Sequence, residues 1–428
     1  MKLLKNPKLR DVDVPWARQL PEHWQVHQVK RHFRRLKETN AGMVCENRLA
    51  LTMNGVVPRS IDDLEGLQSS DYEGYQIFEA GDLAFKLIDL QNVKTSRVGL
   101  VPERGIMSPA YVRLQPLSGI SVRFAFWYFM ALYWTQVFNG LGGGVRQTLG
   151  PEELLTLPLP IPTQEEQMAI AAFLDRETAK IDALVADQVR LLELLAEKRQ
   201  AVIAHAVTKG LNPDAPIKDT GVAWLGELPA HWKVARLATL YREVNEPGSD
   251  DRPTLSVSIH NGVSDDEIDE ADLERKITRS EDKGKYKRVE PNDLTYNMMR
   301  AWQGAFGSVT VSGQVSPAYV VARPKTTIET GFIEAQLRTP KAKEQIRRYS
   351  RGITDFRLRL YWDEFKELRV GVPPHNEQVE VLASIGQLNR QFDELKSLVE
   401  LLIELLSERR SALIAAAVTG QIDVREAA

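Results

Sequence analysis

The feature that most constrains what this chain can fold into is an internal repeat that covers nearly all of its 428 residues. Leu-Pro-Glu-His-Trp at residues 20–24 returns as Leu-Pro-Ala-His-Trp at residues 228–232, an offset of 208. Ser-Pro-Ala-Tyr-Val at residues 108–112 returns unchanged at residues 316–320 with the same offset. Matches that keep one order and one spacing predict two copies of one structural unit.

The later part of each copy repeats with a slightly larger offset. Glu166 and Gln167 return as Glu377 and Gln378, which is 211 residues later. The spacing therefore grows by three residues within each copy, and the order of the matches is kept. We interpret the chain as a tandem duplication.

Each copy combines a mixed segment of short apolar runs and turn residues with a long helical pattern. Proline-rich boundaries at residues 157–162 and 372–374 separate the two parts, because proline ends one element and suits the first turn of the next helix. The predicted fold class is α+β, a duplicated α/β domain followed each time by a long helix. The predicted segments are 1–157, 158–211, 212–372 and 373–428.

Apolar side chains repeat every seven residues along both helical segments. A 3.5-residue spacing over about five heptads is typical of a coiled coil. Such a helix cannot bury its stripe alone, and the nearest partner is the equivalent helix of the other copy. Packing of each helix along its own domain is the alternative. The predicted seam comprises Leu174, Ile181, Leu184, Leu191, Leu195 and Val202, with Ile385, Leu388, Phe392, Leu395, Val399, Leu402, Leu406 and Leu413.

Charge is distributed unevenly, although the net charge is only -3. Residues 1–150 carry a net +5, whereas the helical segments 151–211 and 375–428 each carry a net −4. Residues 337–360 hold eight Lys and Arg against two acidic residues. A local excess of this kind is what phosphate binding requires. A solvated basic helix face is the alternative interpretation.

Motifs of several enzyme classes are missing from the sequence. It contains no G-x-x-x-x-G-K-[ST] phosphate loop, no H-E-x-x-H zinc motif and no G-x-S-x-G nucleophile elbow. The Pro373-Pro374 pair follows Val372 and so does not match the D/N-P-P-aromatic motif of amino-methyltransferases. His23 and His231 each precede a tryptophan, and a structural turn explains them better than a catalytic role. We expect no catalytic residues in this chain.

Cysteine content and apolar runs limit the remaining classes. Cys45 is the single cysteine, which excludes an intramolecular disulfide and a cysteine-based zinc cluster. We therefore expect no metal site. The apolar run at residues 124–134 is shorter than the ~20 residues that span a bilayer, and we predict a buried helix there. Because the first residues lack the apolar core of a signal peptide, we expect a cytoplasmic protein.

These features together resemble one known family. Each copy has Leu-Pro-x-His-Trp near its start, then Gly-Asp-Leu or Asn-Asp-Leu, and then Ser-Pro-Ala-Tyr-Val. In each copy, Pro-x-x-x-Glu-Gln then opens a long helix that carries Glu-x-Arg near its end. This ordered set is similar to DNA-specificity (S) subunits of type I restriction–modification systems. The run from Asn297 to Ala305 is also similar to a segment of their target recognition domains. The resemblance extends over both halves of the chain.

The resemblance implies a bacterial or archaeal protein that binds DNA without catalysis of its own. Residues 1–157 and 212–372 would be target recognition domains, each reading one half of a split, asymmetric site. Residues 158–211 and 373–428 would be spacer helices that pair as an antiparallel coiled coil and hold two methyltransferase (M) subunits. S-adenosylmethionine would belong to those partners. ATP and Mg would belong to nuclease/translocase (R) subunits, and this chain would bind no cofactor.

The residues that contact DNA should differ between the copies and lie on polar loops. Arginine suits guanine, and glutamine or asparagine suits adenine. Arg146 and Arg357 occupy equivalent repeat positions after glycine-containing loops. The candidates are Lys86, Lys94, Arg97, Arg146, Gln147 and Thr148 in the first copy, and Asn297, Arg300, Gln303, Arg351, Thr354, Arg357 and Arg359 in the second.

Two other functions remain open from the sequence alone. A duplicated coiled-coil scaffold that binds only proteins would show the same heptads. A self-contained DNA enzyme, such as a fused nuclease, would need metal-binding carboxylates or a cofactor loop, which the sequence does not show.

Overall fold

The computed structural model divides the chain into two compact units. Unit 1 combines Met1–Val189 with Glu400–Ala428, and unit 2 is Arg190–Val399. Each of the two long helices therefore begins in one unit and ends in the other. The four linear segments of the sequence stay a prediction. The structure describes residues 4–6, 8–52, 55–60, 72–90, 97–141, 143, 148–249, 251–259, 262–264, 285–353 and 357–425.

Unit 1 contains two four-stranded sheets. Its strands are β1 (Leu4–Lys5), β2 (Leu9–Asp11), β3 (Gln19–Pro21), β4 (Gln25–Gln28), β5 (Phe33–Leu36), β6 (Arg48–Thr52), β7 (Gly55–Arg59), β8 (Gln76–Phe78), β9 (Leu83–Phe85), β10 (Val98–Leu100), β11 (Gly105–Met107), β12 (Val112–Pro116) and β13 (Pro158–Ile161). One sheet is antiparallel with the order β10-β9-β12-β5. The other has the order β7-β6-β11-β8, and its β6–β11 pair is parallel.

A buried aromatic helix forms the centre of unit 1. The helices are α1 (Val122–Trp134), α2 (Val137–Leu141), α3 (Pro151–Thr156) and α4 (Gln164–Lys209), with a 3-10 turn at Val29–Arg31. Ser121 caps α1 by accepting a hydrogen bond from the Phe124 N–H. Phe124, Tyr128 and Phe129 are fully buried. The prediction that this apolar run forms a buried helix is confirmed.

Unit 2 repeats the first sheet of unit 1. Its elements are β14 (Ile217–Asp219), β15 (Glu227–Pro229), β16 (Lys233–Arg236), α5 (Leu237–Leu240), β17 (Tyr241–Val244), β18 (Val257–Ser258), β19 (Gly262–Val263), β20 (Lys287–Val289), β21 (Leu294–Asn297), β22 (Phe306–Ser308), β23 (Gly313–Val315), β24 (Tyr319–Pro324), α6 (Thr330–Leu337), α7 (Pro340–Tyr349), α8 (Trp362–Phe365), β25 (Arg369–Val372) and α9 (His375–Val418), with a 3-10 turn at Ala301–Gln303. The order β17-β24-β21-β22 matches β5-β12-β9-β10 of unit 1. After α9, strand β26 (Ile422–Asp423) pairs with β1 in unit 1.

Two of the repeated motifs meet in each unit. His23 Nε2 lies 2.8 Å from Glu166 Oε1, and His231 Nε2 lies 2.7 Å from Glu377 Oε2. Each pair joins the Leu-Pro-x-His-Trp turn to the first turn of a long helix. Both histidines therefore act as structural anchors, as the sequence indicated.

The glutamine of the Glu-Gln motif has an equally structural role. Gln167 Oε1 accepts a hydrogen bond from the Ser121 N–H at 2.7 Å, and its amide donates to Pro162 O at 3.1 Å. Gln378 makes the equivalent bonds to the Glu329 N–H and to Pro373 O. Each buried amide thus fastens the start of α1 or α6 to the start of a long helix.

Within each unit, the segments of the two long helices run antiparallel. In unit 1, Arg410 of α9 donates to Asp182 of α4 at 2.8 Å, and Leu174 shares the core with Ala417. Because the position rises along one helix as it falls along the other, the two segments have opposite directions. The Glu-x-Arg motif, here ending in Arg410, supplies the cross-helix contact.

The same arrangement recurs in unit 2. Arg199 donates to Asp393 at 2.7 Å and to Asn389 at 2.8 Å. Further along, Val207 shares a core with Val381. Arg199 and Arg410 are 211 residues apart, as are Asp182 and Asp393. The duplicated fold with an antiparallel helix pair is confirmed inside each unit.

The predicted seam is partly wrong. Five members of the first heptad row are buried: Leu174, Ile181, Ile385, Phe392 and Val399. Leu195, Leu406 and Leu413 of that row are half-buried, as is Leu388 of the second row. The side chains that are instead exposed are Leu184, Leu191, Val202, Leu395 and Leu402.

The second row of the seam lies four residues after the first row, not three. It includes the buried Thr178 and Ala417 and the cross-helix arginines Arg199 and Arg410. Positions three and four residues apart are both neighbours on a helix. For the second row, the sequence analysis chose positions richer in leucine, whereas the structure uses small side chains and ion pairs there.

In the part of the chain that the structure describes, no helix combines the length and the apolar character that crossing a membrane requires.

Candidate nucleic-acid interface

A short hairpin in unit 2 presents three arginines at the surface. Arg351 and Arg359 form an antiparallel bridge, with N–H to oxygen distances of 2.9 Å in both directions. The Leu360 N–H donates to Met298 O at 2.9 Å, which ties the hairpin to the segment after β21. An open cavity of about 810 Å³ lies beside it, lined by Arg351, Gly352, Arg357, Arg359, Tyr361, Asp363 and Glu364.

The geometry of this hairpin depends on Gly352. Its φ of 153° lies in the region that side chains avoid. A Cβ there would stand 2.6 Å from Arg357 O. Only glycine therefore fits at position 352 without displacing the backbone at Arg357.

Unit 1 has a hairpin on the same anchor. The Gly143 N–H donates to Thr148 O at 3.1 Å, and the Thr148 N–H donates to Gly143 O at 3.0 Å. The Leu149 N–H donates to Leu87 O at 3.0 Å. In the repeat, Leu149 corresponds to Leu360 and Leu87 to Met298, so unit 2 makes the same bond. The backbone scaffold of the hairpin is therefore common to both units.

One three-residue change in the repeat lies inside this hairpin. Gly143 precedes Arg351 by 208 residues, whereas Thr148 precedes Arg359 by 211 residues. Four residues separate the bridged ends in unit 1, and seven separate them in unit 2. The units thus share the frame of the hairpin and differ in its length and side chains.

A basic helix leads into the hairpin of unit 2. Helix α7 ends at Tyr349, and its exposed face carries Lys341, Arg347 and Arg348. The Arg347 guanidinium stacks over Trp302, 5.5 Å from the ring centroid. This contact holds α7 against the 3-10 turn at Ala301–Gln303.

Lys343 of α7 packs against the same segment. A Cβ on Gly304, whose φ is 100°, would stand 2.5 Å from Lys343 Cε. Burial, and then the charge of Arg338, lowers the pKa of Lys343. The basic helix, the 3-10 turn and the hairpin therefore form one continuous surface.

The structure brings most of the described second-copy candidates to this surface. Arg351, Arg357 and Arg359 are exposed on the hairpin. Arg300 and Gln303 are half-buried at the 3-10 turn. These placements agree with a role in DNA binding, which stays a prediction for each residue.

Asn297 has a different place. It is 9% exposed, and its Oδ1 accepts a hydrogen bond from the Met299 N–H at 3.0 Å. The side chain shapes the loop before Arg300. In this structure Asn297 supports the basic surface rather than presenting its own amide to DNA.

The first-copy candidates are less well grouped. Thr148 is exposed at the base of its hairpin, and Lys86 is half-buried. Arg97 is completely buried, which removes it from direct contact with DNA in this structure. Burial also lowers the pKa of both Lys86 and Arg97. The candidates Lys94, Arg146, Gln147 and Thr354 lie outside the described residues.

Sequence reasoning did not name the exposed cations of α7 as individual candidates. The signal for them was the local basic excess at residues 337–360. Their selection required knowing which face of α7 packs inward, which Ala342 and Ile346 decide. Among the described residues, no group of three or more His, Cys, Asp and Glu side chains could hold a metal ion.

Solved structures share this architecture across almost the whole chain. A chain from work on complex assembly and conformational transition of the type I R-M system superposes with a TM-score of 0.65 at 13% identity, over 93% of this chain and 98% of the other. This protein has the fold of a type I specificity subunit. The HsdS subunit from Thermoanaerobacter tengcongensis agrees, with a TM-score of 0.51 at 14% identity, over 94% and 98% of the two chains.

Sequence comparison supports the same resemblance. The chain is 27% identical over 280 residues to the type I restriction enzyme EcoBI specificity subunit of Escherichia coli. The match covers 62% of this chain and 58% of that relative, so the chain spans less than two thirds of the relative's length. No family model matches the chain.

Proposed function

We propose that this chain is the DNA-specificity subunit of a type I restriction–modification complex, and that each unit reads one half of a split, asymmetric DNA site. The pair of hairpins carries the proposal. Both hairpins are anchored through the same backbone contacts, but they differ in length and in side chains. A protein that reads two different half-sites needs this combination of a constant frame and variable contacts.

The chemistry of the unit 2 hairpin supports DNA as the ligand. Its exposed arginines line an open cavity of about 810 Å³. The planar guanidinium pairs bidentately with guanine or with phosphate. The adjacent α7 adds further cations. Binding of the DNA phosphate backbone requires such cations, whereas reading of the bases does not.

We further propose that the chain has no catalysis of its own and acts with partners. Two methyltransferase subunits would supply S-adenosylmethionine and the adenine-methylating site, and nuclease/translocase subunits would use ATP and Mg. This chain would bind no cofactor. The complex would work on DNA in the cytoplasm of a bacterium or archaeon.

An exposed leucine stripe on α9 supports docking of protein partners. Leu395, Leu398, Leu402 and Leu405 follow one another at spacings of three, four and three residues, and they are 42–63% exposed. Residues at these spacings share one helix face. A continuous exposed apolar stripe on such a helix marks a protein contact, which the methyltransferase subunits would make.

A genome-wide methylation map of the host, with and without this gene, tests the proposed function. We expect a split, asymmetric adenine-methylated motif to disappear on deletion and to return with a plasmid copy. The proposal is wrong if a pull-down recovers an active methyltransferase partner and the methylation map nevertheless shows no such motif.

A protein-only scaffold is the second candidate, because the leucine stripe would serve it equally well. DNA binding and its salt dependence separate the two functions. Specific DNA binding weakens steeply as salt rises, whereas a scaffold binds no DNA at any salt concentration.

A further inference from the structure

We propose that the two units hold the DNA backbone through basic surfaces that are not equivalent in the repeat. Unit 2 would use the exposed face of α7, and unit 1 would use the 3-10 turn at Val29–Arg31 together with β5. This inference rests on the proposed function. It adds that the two half-sites are gripped from different sides of their hairpins.

In unit 2, the surface lies on the element that enters the hairpin. Lys341 and Arg348 are exposed on α7, and α7 ends two residues before Arg351. Arg348 is paired with Glu344 one helical turn earlier. The stacking of Arg347 on Trp302 fixes the helix beside the hairpin. These cations therefore stand where the backbone of a DNA half-site held by the hairpin would run.

In unit 1, the surface lies against the element that leaves the hairpin. Strand β5 is at the edge of its sheet, and α3 begins three residues after Thr148. Arg35 Nη1 is 3.8 Å from Glu152 in α3, and the Val29 N–H donates to Leu157 O at 3.0 Å. The exposed cations of this surface are Lys30, Arg31, Arg34, Arg35 and Lys37.

The repeat shows that the charges do not correspond. Only Arg34 has a basic equivalent, which is Arg242. In unit 2, residues without positive charge stand in place of the unit 1 cations: Thr239 for Arg31, Glu243 for Arg35 and Asn245 for Lys37. In unit 1, uncharged residues stand in place of the α7 cations: Tyr133 for Lys341, Asn139 for Arg347 and Gly140 for Arg348. The equivalent helix in unit 1, α2, carries no charge. Each unit therefore has one of the two basic surfaces and lacks the other.

The physical consequence concerns affinity and not base reading. Contacts to phosphate position a protein on the duplex and carry no sequence information. Each neutralised phosphate contributes about 0.9 to the slope of log K against log salt concentration. Removing either surface should therefore weaken binding and flatten the slope, while the recognised motif stays the same.

The test uses the full chain with its co-expressed methyltransferase partners and a duplex that carries the methylated motif. The variants are K341Q/R348Q for unit 2 and R31Q/K37Q for unit 1. We expect each pair to reduce the slope by about 1 to 2, with an unchanged methylation motif. The charge-retaining pair K341R/R348K should keep the wild-type slope. The control pair is K198Q/R390Q, two exposed cations on the long helices.

The outcomes separate this inference from the proposed function. If the wild type binds the duplex and either surface pair keeps the wild-type slope, the two-surface proposal is overturned and the proposed function stands. If the wild type binds no DNA at any salt concentration, both are overturned. A slope that falls equally in the control pair would mean that the effect is one of net charge, which also overturns the inference.

Discussion

Single buried ion pairs show how the two units keep one framework with different sequences. Asp82 and Asp293 are repeat equivalents, and each accepts a backbone N–H from the residue three positions earlier. Arg113 Nε lies 2.5 Å from Asp82, and Arg323 lies 2.9 Å from Asp293. The two arginines are 210 residues apart and so are not repeat equivalents. Both units therefore share the aspartate turn, whereas the arginine that pairs with the aspartate comes from a different repeat position in each unit.

The first prediction follows from the burial of Asp82. Its side chain and that of Arg113 are each 2% exposed. Asp82→Ala removes the buried carboxylate and leaves the guanidinium with only the exposed Glu38 as an acidic partner. We expect it to lower the free energy of unfolding by about 3–5 kcal/mol. Urea unfolding measures the loss. Asp187→Ala, at an exposed position of α4, is the control, and equal midpoints for the two variants would contradict the prediction.

The second prediction concerns pH and a stacked histidine pair in unit 1. His27 Nδ1 lies 2.8 Å from His32 Nε2. Burial, and then Arg31, lowers the pKa of His27, while burial, His27 and Arg31 lower that of His32. The folded state therefore binds fewer protons than the unfolded state near the ordinary histidine pKa of 6.5. The contribution of the two histidines to folding stability is fully present above that pH. It is lost as the pH falls through 6.5 towards their pKa values in the folded state.

Chemical unfolding between pH 7.5 and pH 5 checks this sign. We expect the wild type to lose stability over that range and His27→Gln to lose less, because one of the two unfavourable protonations is removed. His205→Gln, at an exposed position on α4, should follow the wild type. A wild-type stability that is flat or rises on acidification would refute the prediction.

At the scale of elements, the long helices show how a heptad pattern can assign the wrong face. Leucine occurs in both the buried row and the flanking exposed row, so hydrophobicity alone does not select the seam. The cross-helix pairs Arg199–Asp393 and Arg410–Asp182 select it instead. Sequence reasoning did not foresee that a polar contact would set the register of the pair. The exposed row therefore faces solvent in this chain.

The third prediction compares two neighbouring positions of α9. Phe392 is 8% exposed, whereas Leu395 is 48% exposed. Phe392→Asp should cost at least about 3 kcal/mol, because it removes a buried aromatic ring and buries a charge. Leu395→Asp should change stability by no more than about 0.5 kcal/mol but should weaken capture of the methyltransferase partner.

Thermal unfolding and a pull-down of each variant separate these effects. The sequence analysis placed Leu395 in the seam, and an unfolding penalty for Leu395→Asp that matches that of Phe392→Asp would restore that interpretation.

The fourth prediction concerns the hairpin as an element. Gly352→Ala places a Cβ 2.6 Å from Arg357 O at a φ of 153°. A strain of about 1–3 kcal/mol must be relieved by moving the hairpin, so we expect at least roughly tenfold weaker DNA binding. Fluorescence anisotropy with the cognate duplex measures it. Gly74→Ala, where an added Cβ meets nothing within 4 Å, is the matched control and should bind as the wild type does.

For the whole molecule, duplication with divergence is the property that matters. Unit 1 and unit 2 repeat the order of one sheet, the anchor of one hairpin and the histidine–glutamate contact at the start of a long helix. They differ in hairpin length and in where the exposed cations lie. In the proposed function, the shared parts would hold the shape of the molecule and the divergent parts would choose the DNA half-sites.

The fifth prediction belongs to this scale. Arg357→Ala removes one exposed hairpin arginine from unit 2 alone. We expect the methylation motif to relax in one half and to keep the other half unchanged, since a lost bidentate contact costs about 1–3 kcal/mol of base discrimination. Mapping methylation in cells that carry the variant reads both halves together. Relaxation of both halves, or of neither, would show that Arg357 does not read one half-site.

Sequence alone determined the duplication, the two long helices and the buried aromatic helix. These features depend on repeated motifs and on the periodicity of apolar residues, which are local properties of the chain. The histidine turns were also identified correctly, because the same Pro-x-His-Trp pattern at both repeat positions points to a shared frame.

Tertiary structure decided what depends on contacts between distant residues. It moved the seam to the row of Arg199 and Arg410, buried Arg97 and turned Asn297 into a loop support. It also located one three-residue change of the repeat inside the hairpin. Whether a cation faces solvent or a partner depends on which elements pack around it, and that packing is absent from the linear order of residues.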